Sequence, residues 1–308
     1  MHNNTADLRI LFPTSFSDAC FRTSRAIAQL AEATKVCLTI AHVTKPGTET
    51  NEKQRELNSF LAEADHYDEC RRILIQSADP CRAIEELCKA DCFDLIMAPA
   101  SDRLGLHSLF TRSLRAKLLN QCKVPLWTAG PCLDSAACMK HGIRTVACVA
   151  NFDRGGNAHL PLAAAFAARM GARMRLVHVI PPVSEGNLAR AMDSDMPLMP
   201  EVAVERLRAA FAGKPYPEID VVVGDMGREL PRLLRRCEAD LAFIGPGQGT
   251  CGAFFRRLTP VIQRLPCPVI CVDGAACAFD RWTFQNAATA EPASKRALVR
   301  RNEHSLVH

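Results

Sequence analysis

The stretch with the clearest chemical potential is Gly245-Pro246-Gly247-Gln248-Gly249-Thr250, which follows an apolar run and leads towards a helical pattern. Glycines at alternate positions let backbone N–H groups approach an oxyanion where no Cβ intrudes, as a phosphate cradle requires. The stretch lacks the Gly-Lys-Ser/Thr of a P-loop. Nor is it the dinucleotide Gly-x-Gly-x-x-Gly, which belongs after a first strand. A plain flexible turn has the same composition. Two shorter segments, Pro13-Thr14-Ser15 and Ala150-Asn151, end apolar runs in small polar residues, and Pro99-Ala100-Ser101-Asp102 ends another. His42 and His178 stand near the ends of further runs, where one ring nitrogen either bonds backbone or meets a ligand. Arg228, Arg232, Arg235 and Arg236, with Arg256, Arg257 and Arg264 beyond them, form a basic cluster. Such a run is ordinarily a solvated helix face; Arg256 and Arg257 also follow the glycine-rich loop closely enough to touch a phosphate.

No catalytic set accompanies these residues. There is no His-Glu-x-x-His, no Gly-x-Ser-x-Gly elbow and no pair of carboxylates framed by glycine turns. The 15 cysteines include no Cys-x-x-Cys. Cys88/Cys92 and Cys267/Cys271 come closest, each without a histidine to complete a zinc set. No metal site and no enzymatic activity are expected.

The elements that position these segments come twice. LRILFPTSFS (8–17) is echoed by RTVACVANFD (144–153), and TKVCLTIAHV (34–43) by ARMRLVHV (172–179). CFDLIMAP (92–99) pairs with EADLAFIG (238–245), and CKVPLWTAG (122–130) with LPCPVICVDG (265–274). His42 and His178 are 136 residues apart, Asp94 and Asp240 146, and Pro125 and Pro268 143, a drift that marks duplication with loop changes. Strands are predicted near 8–13, 36–43, 71–76, 94–98 and 124–128, and again near 145–150, 174–179, 218–223, 240–245 and 268–272. Helices near 18–33, 81–91, 107–121 and 229–238 show apolar residues at helical spacing: Cys20, Ile27, Leu30 and Ala31 in the first, Leu230, Leu233, Leu234 and Cys237 in the last. Continuous apolar strands alternating with helices indicate a parallel sheet covered on both faces. The fold class is therefore α/β, with two tandem doubly wound five-stranded parallel-sheet domains at 7–130 and 143–274, joined by a linker. Residues 275–308 carry no sustained pattern and read as a disordered tail.

A length of 308 residues, 48% of them hydrophobic, suits two globular domains. A net charge of +5 is too slight to argue for nucleic acid, so no such partner is expected. The N-terminus shows no signal-peptide pattern, and no run approaches the ~20 apolar residues of a membrane span. A cytoplasmic location with reduced thiols and no membrane partner follows as an expectation. Most cysteines, such as Cys37, Cys148 and Cys271, fall on strand or helix positions where they serve as small hydrophobes.

With ILFPTSFSDA, the AHV and VHV endings, ADP before the third helix, DLIMAP and DLAFIGPG, and KVPLW and CPVICV in order, the repeat unit resembles the universal stress protein family, in its tandem two-domain form. The resemblance covers both halves and implies a fold like that of the adenine nucleotide alpha hydrolases. In the family's nucleotide-binding class an Asp follows strand one, the backbone ending strand two faces the base, and a Gly-x2-Gly-x9-Gly-Ser/Thr loop holds phosphate. Here the Asp position is Ser15 in the first copy and Asn151 in the second; the strand-two ends are Val43 and Val179. The first copy's loop positions are Pro99, Asp102, Arg112 and Ser113, of which only Ser113 fits. Pro99 lacks a donor, and Asp102 would repel a polyphosphate. The second copy keeps Gly245, has Gln248 at the next glycine position, and ends near Leu258-Thr259. The Ser-Gly-Gly-x-Asp-Ser of related adenylating enzymes is missing from both copies. In this family the fifth strand pairs with that of a second domain, which implies an intramolecular pseudo-dimer through VPLWTA and PVICVD.

The sequence thus points to a non-enzymatic stress-response regulatory or binding protein with degenerate nucleotide sites, more worn in the first copy (Ser15, Val43, Pro99, Asp102, Ser113). One alternative leaves the second copy able to bind ATP or another anionic small molecule, with slow hydrolysis, through Asn151, Val179, Gly245, Gly247, Gly249 and Thr250. No cofactor is required by the main reading, and ATP stays open only for the second domain. Another alternative is a thiol redox sensor, which needs an exposed, low-pKa cysteine. Cys251, Cys132 and Cys138 are the candidates.

Overall fold

A computed structural model of the chain describes residues 7–62, 64, 67, 69–99, 112–130, 133–150, 152, 157, 159–182, 199–210, 217–245 and 258–272. The first half supplies β1 (Leu8–Thr14), β2 (Val36–Thr44), β3 (Glu69–Gln76), β4 (Leu95–Met97) and β5 (Leu126–Thr128). The second supplies β6 (Thr145–Val149), β7 (Arg173–Ile180), β8 (Glu218–Val223), β9 (Leu241–Ile244) and β10 (Val269–Cys271). Between them lie α1 (Asp18–Ala33), α2 (Thr50–Ser59), α3 (Pro80–Ala90), α4 (Arg112–Cys122), α5 (Ser135–Cys138), α6 (Leu160–Arg169), α7 (Pro200–Ala210) and α8 (Met226–Arg236). Residues 258–262 are also helical.

The strands form one ten-stranded sheet in the order β3-β2-β1-β4-β5-β10-β9-β6-β7-β8. Each half runs 3-2-1-4-5 in its own strands, so the order reverses beside β1 in one and β6 in the other. The carboxyl ends of those strands are where an open parallel sheet opens a crevice. At the centre β5 and β10 pair antiparallel, Thr128 with Val269, Trp127 with Ile270 and Leu126 with Cys271; the other strand pairs are parallel. The two fifth strands thereby cover each other's edges. The outer strand β3 carries Glu69, Arg71 and Arg72, charges that guard a free edge against further pairing.

Two apolar layers follow from this, one per face, and both cross the joint between halves. One runs from Leu8, Ile10 and Phe12 through Trp127 and Ile270 to Val146 and Phe243. The other runs from Leu11 and Ile96 through Leu126, Val269 and Cys271 to Ala147 and Ile244. Polar ties reinforce the joint: Arg169 Nε donates to Thr34 Oγ1 at 2.7 Å, and the Cys138 thiol donates to the Pro266 carbonyl at 3.4 Å. Gly130 lies so close to the second half that a Cβ there would sit 3.1 Å from the Gln263 carbonyl oxygen. The segment read as a bare linker holds α5, packed on α1, and buries Met139 and Ile143.

The two halves are stapled alike. A buried aspartate opening the fourth strand accepts from backbone N–H groups at the start of the first: Asp94 from Arg9 at 2.8 Å, Asp240 from Arg144 at 2.8 Å and Thr145 at 2.9 Å. Asp79 caps α3 through the N–H groups of Cys81 and Arg82, and Asp225 caps α8 through that of Arg228. The predicted helices over 18–33, 81–91 and 229–238 are α1, α3 and α8, with Leu230, Leu233, Leu234 and Cys237 all buried.

Candidate functional site

In the first half the site edge is built by the turn after β1. His42, near the end of β2, is buried and has Nδ1 2.8 Å from the Thr14 carbonyl, so this nitrogen carries the proton. Burial holds its pKa below the ordinary 6.5, outweighing the raising pull of that carbonyl. Phe16 lies on the imidazole, with ring centroids 4.3 Å apart, and also meets Phe60. Its φ is +60°, and its N–H donates to Thr14 Oγ1 at 3.1 Å. A phenylalanine in the left-handed region is strained, and the ring contacts hold it there. The turn fixes Ser15, whose N–H donates to Cys20 Sγ at 3.3 Å and whose hydroxyl donates to Ser17 Oγ at 3.3 Å. Where the resemblance expects a carboxylate, there is a half-buried hydroxyl turned to the start of α1. At the end of β4, Pro99 is buried.

The second half repeats the turn and alters its surroundings. His178 Nδ1 is 2.8 Å from the Ala150 carbonyl, and Phe152 meets its ring edge-on at 4.6 Å. Both strand-end histidines thus bond backbone, the structural role weighed from the sequence. A third imidazole enters here. His159, just before α6, is buried with Nε2 2.8 Å from the Val149 carbonyl. Its ring lies against Gly245, where a Cβ would sit 2.1 Å from Nδ1. Glycine at this position is therefore required by the protein's own packing, whatever else the loop does. Neither partner is signalled locally in the sequence, because 86 residues separate them. Val43 and Val179 bury their side chains in one core layer, so only their backbone is available to a ligand.

Residues 143–273 match the model of the universal stress protein family. The second half is a universal stress protein domain. Three solved structures share the fold over nearly their whole length. One, assigned to the universal stress proteins of Pseudomonas aeruginosa UCBPP-PA14, has 16% identity and a TM-score of 0.55, covering 89% of this chain and 97% of that one. A universal stress protein from Archaeoglobus fulgidus DSM 4304 has 15% identity and a TM-score of 0.58, covering 86% and 98%. A functionally unknown protein from Pseudomonas aeruginosa PAO1 has 14% identity and a TM-score of 0.58, covering 89% and 96%. No curated protein matches the chain. At such identities the likeness is one of fold, and it extends over the first half as well.

Within the universal stress protein domain, two arginines of the cluster are engaged by carboxylates. Arg232 donates to Glu229 at 2.8 Å, and Arg236 to the buried Asp220 at 3.1 Å, which Arg175 also reaches at 2.8 Å. A crossover helix runs back along its sheet, so Arg235 and Arg236 at the end of α8 lie towards the amino edge. The glycine-rich loop leaves the opposite edge. Two thiol expectations also change. Cys138 is half-buried, and burial raises its pKa, contrary to what a sensor needs. Cys37 is half-buried rather than a core residue; burial and the neighbouring Asp7 push its thiol up to about 11. The backbone of Ser113 lies in α4. Asn151, Asp102, Gly247, Gln248, Gly249, Thr250, Arg256, Arg257, Cys132, Cys251 and the segment 275–308 lie outside the described residues. Among the described residues no group of three or more His, Cys, Asp or Glu is placed to hold a metal ion. No helix among them is long and apolar enough to cross a membrane.

Proposed function

We propose that the chain is a stress-response regulatory or binding protein, not an enzyme, in which the first half no longer takes ATP in the usual way. Ser15 carries this reading. Its N–H and hydroxyl are engaged by Cys20 and Ser17, and it offers no charge to orient a ribose. Pro99 supports the same conclusion, since it has no N–H for a phosphate. In the second half, the demand of His159 for Gly245 removes one argument for a phosphate cradle and leaves the loop beyond it to decide. A cytosolic setting with reduced thiols belongs to the same reading. The β5–β10 pairing supports a chain that covers its own central edges and sediments as a monomer; an obligate dimer would count against that.

Calorimetric titration of Mg-ATP into the full chain, with Gly247→Val as control, tests the nucleotide side. The expected result is no heat in either protein. Heat lost in Gly247→Val would transfer the function to the second half. Heat that survives the substitution would overturn the reading of the first half.

A further inference from the structure

The face of the first half formed by α3 and α4 holds thiols that no step above uses. Cys88, in the last turn of α3, and Cys122, the last residue of α4, are both half-buried against one core layer. The two helices pack side by side, and the Cys88 side chain neighbours the Cys122 thiol. The second half gives independent support for this facing geometry. Following the repeat, Cys88 corresponds to Leu234, 146 residues on, and Cys122 to Leu265, 143 residues on. Both leucines are buried in that same layer. Where one copy buries two leucines in this layer, the other places two thiols there, nearer to solvent.

We propose that Cys88 and Cys122 are a redox-active pair that closes to an intramolecular disulfide between α3 and α4 in exchange with a small-molecule disulfide. The Cys88 sulfur, as thiolate, attacks one sulfur of the small disulfide and breaks its S–S bond, releasing one thiolate. Cys122 then loses its proton and attacks the Cys88 sulfur of the mixed disulfide, releasing the second thiolate. Two protein thiols are oxidised, one small disulfide is reduced to two thiols, and the two protons leave with them. The order of the steps follows from the site. The neighbouring Cys88 side chain and burial hold the proton on Cys122 strongly, so Cys88 attacks first and Cys122 resolves. Cys81, one heptad before Cys88, is bound instead to Gln121 Oε1 at 2.8 Å and stays out of the exchange. The exposed Cys92 serves as an internal control for plain surface reactivity.

The full chain is equilibrated in graded ratios of reduced to oxidised glutathione, quenched with N-ethylmaleimide and digested with trypsin without reduction. Cleavage after Lys89 and Lys123 places the two cysteines on the peptides 83–89 and 118–123, and separates Cys88 from Cys92. The cross-linked pair of those peptides should accumulate, vanish on reduction, and form at ratios where Cys92 carries only glutathione. Cys122→Ser should trap glutathione on Cys88, and Cys88→Ser should abolish the cross-link. A chain whose Cys92 is fully glutathionylated while Cys88 and Cys122 remain alkylated overturns the proposal. So does a Cys122→Ser protein that leaves Cys88 unmodified.

Discussion

The two halves share their scaffold almost residue for residue and differ where a ligand would sit. Asp94 and Asp240, Asp79 and Asp225, His42 and His178, and Phe16 and Phe152 occupy matching places and make matching bonds. Ser15 stands against Asn151, Pro99 against Gly245, and the thiols Cys88 and Cys122 against Leu234 and Leu265. Residues that tie strand to strand and cap helices have been kept because each satisfies a buried backbone group, and losing one leaves that group unpaired. The end of the fourth strand has no such duty in the first half, where proline suffices. In the second it is bound to a new duty by His159.

The largest difference between halves is expected at that fourth-strand end. Gly245→Ala places a Cβ inside contact distance of a buried ring whose other nitrogen is bonded to Val149, so the ring cannot swing away freely. Urea denaturation should show a loss of about 1–3 kcal/mol. The loss should shrink in the background His159→Ala, where the ring is gone. Unchanged stability in Gly245→Ala would mean that glycine is retained there for something other than packing.

The helix caps give a smaller and graded contrast. Asp79→Ala and Asp225→Ala should each cost about 1 kcal/mol. Asp79 satisfies two N–H groups, at 2.9 and 3.2 Å, and Asp225 one, at 3.1 Å, so the first-half variant should be the weaker protein. The reverse ranking in chemical denaturation would show that the second half depends more on its third helix than the first does.

What the sequence made legible follows from the same physics. Strands buried on both faces are continuous apolar runs, and the outer strand β3 keeps a short one in Ile73-Leu74-Ile75, so all ten were placed to within two residues. The helices α3 and α8 lie half in solvent and carry a readable stripe. Four helices went unread, the short α5 in the linker among them. Of α2 only Leu57 is buried, and α6, LPLAAAFAAR, is apolar nearly all round, so neither has a stripe. The stripe of α7 is short, with Ala203, Val204 and Leu207 buried. The site was legible as positions along strand ends, because the repeat aligned Ser15 with Asn151 and Val43 with Val179. Contacts between distant segments were not. Nothing near Gly245 announces His159, nothing near Cys88 announces Cys122, and the burial of Cys138 depends on Pro266 from the other half.

The smallest effect is expected from acid on the strand-end histidine of the first half, and it is absent at neutral pH. Burial keeps the folded-state pKa of His42 below 6.5, with Lys53, whose ammonium lies 5.8 Å from the Phe16 ring centre, adding a lowering push. Above 6.5 the imidazole is neutral in both folded and unfolded chains and contributes no pH dependence. As pH falls through 6.5 the unfolded chain takes up the proton first, so unfolding is favoured and stability declines. The decline ends once the folded histidine is also protonated. Thermal melts from about pH 7.5 to pH 5 should therefore show a falling midpoint whose slope is reduced in His42→Gln, a variant that keeps an N–H for the Thr14 carbonyl. Lys53→Met should shrink that decline and end it at higher pH, because removing the positive charge makes protonation of the folded imidazole easier. A wild-type slope that His42→Gln leaves unchanged would place the acid sensitivity on other groups.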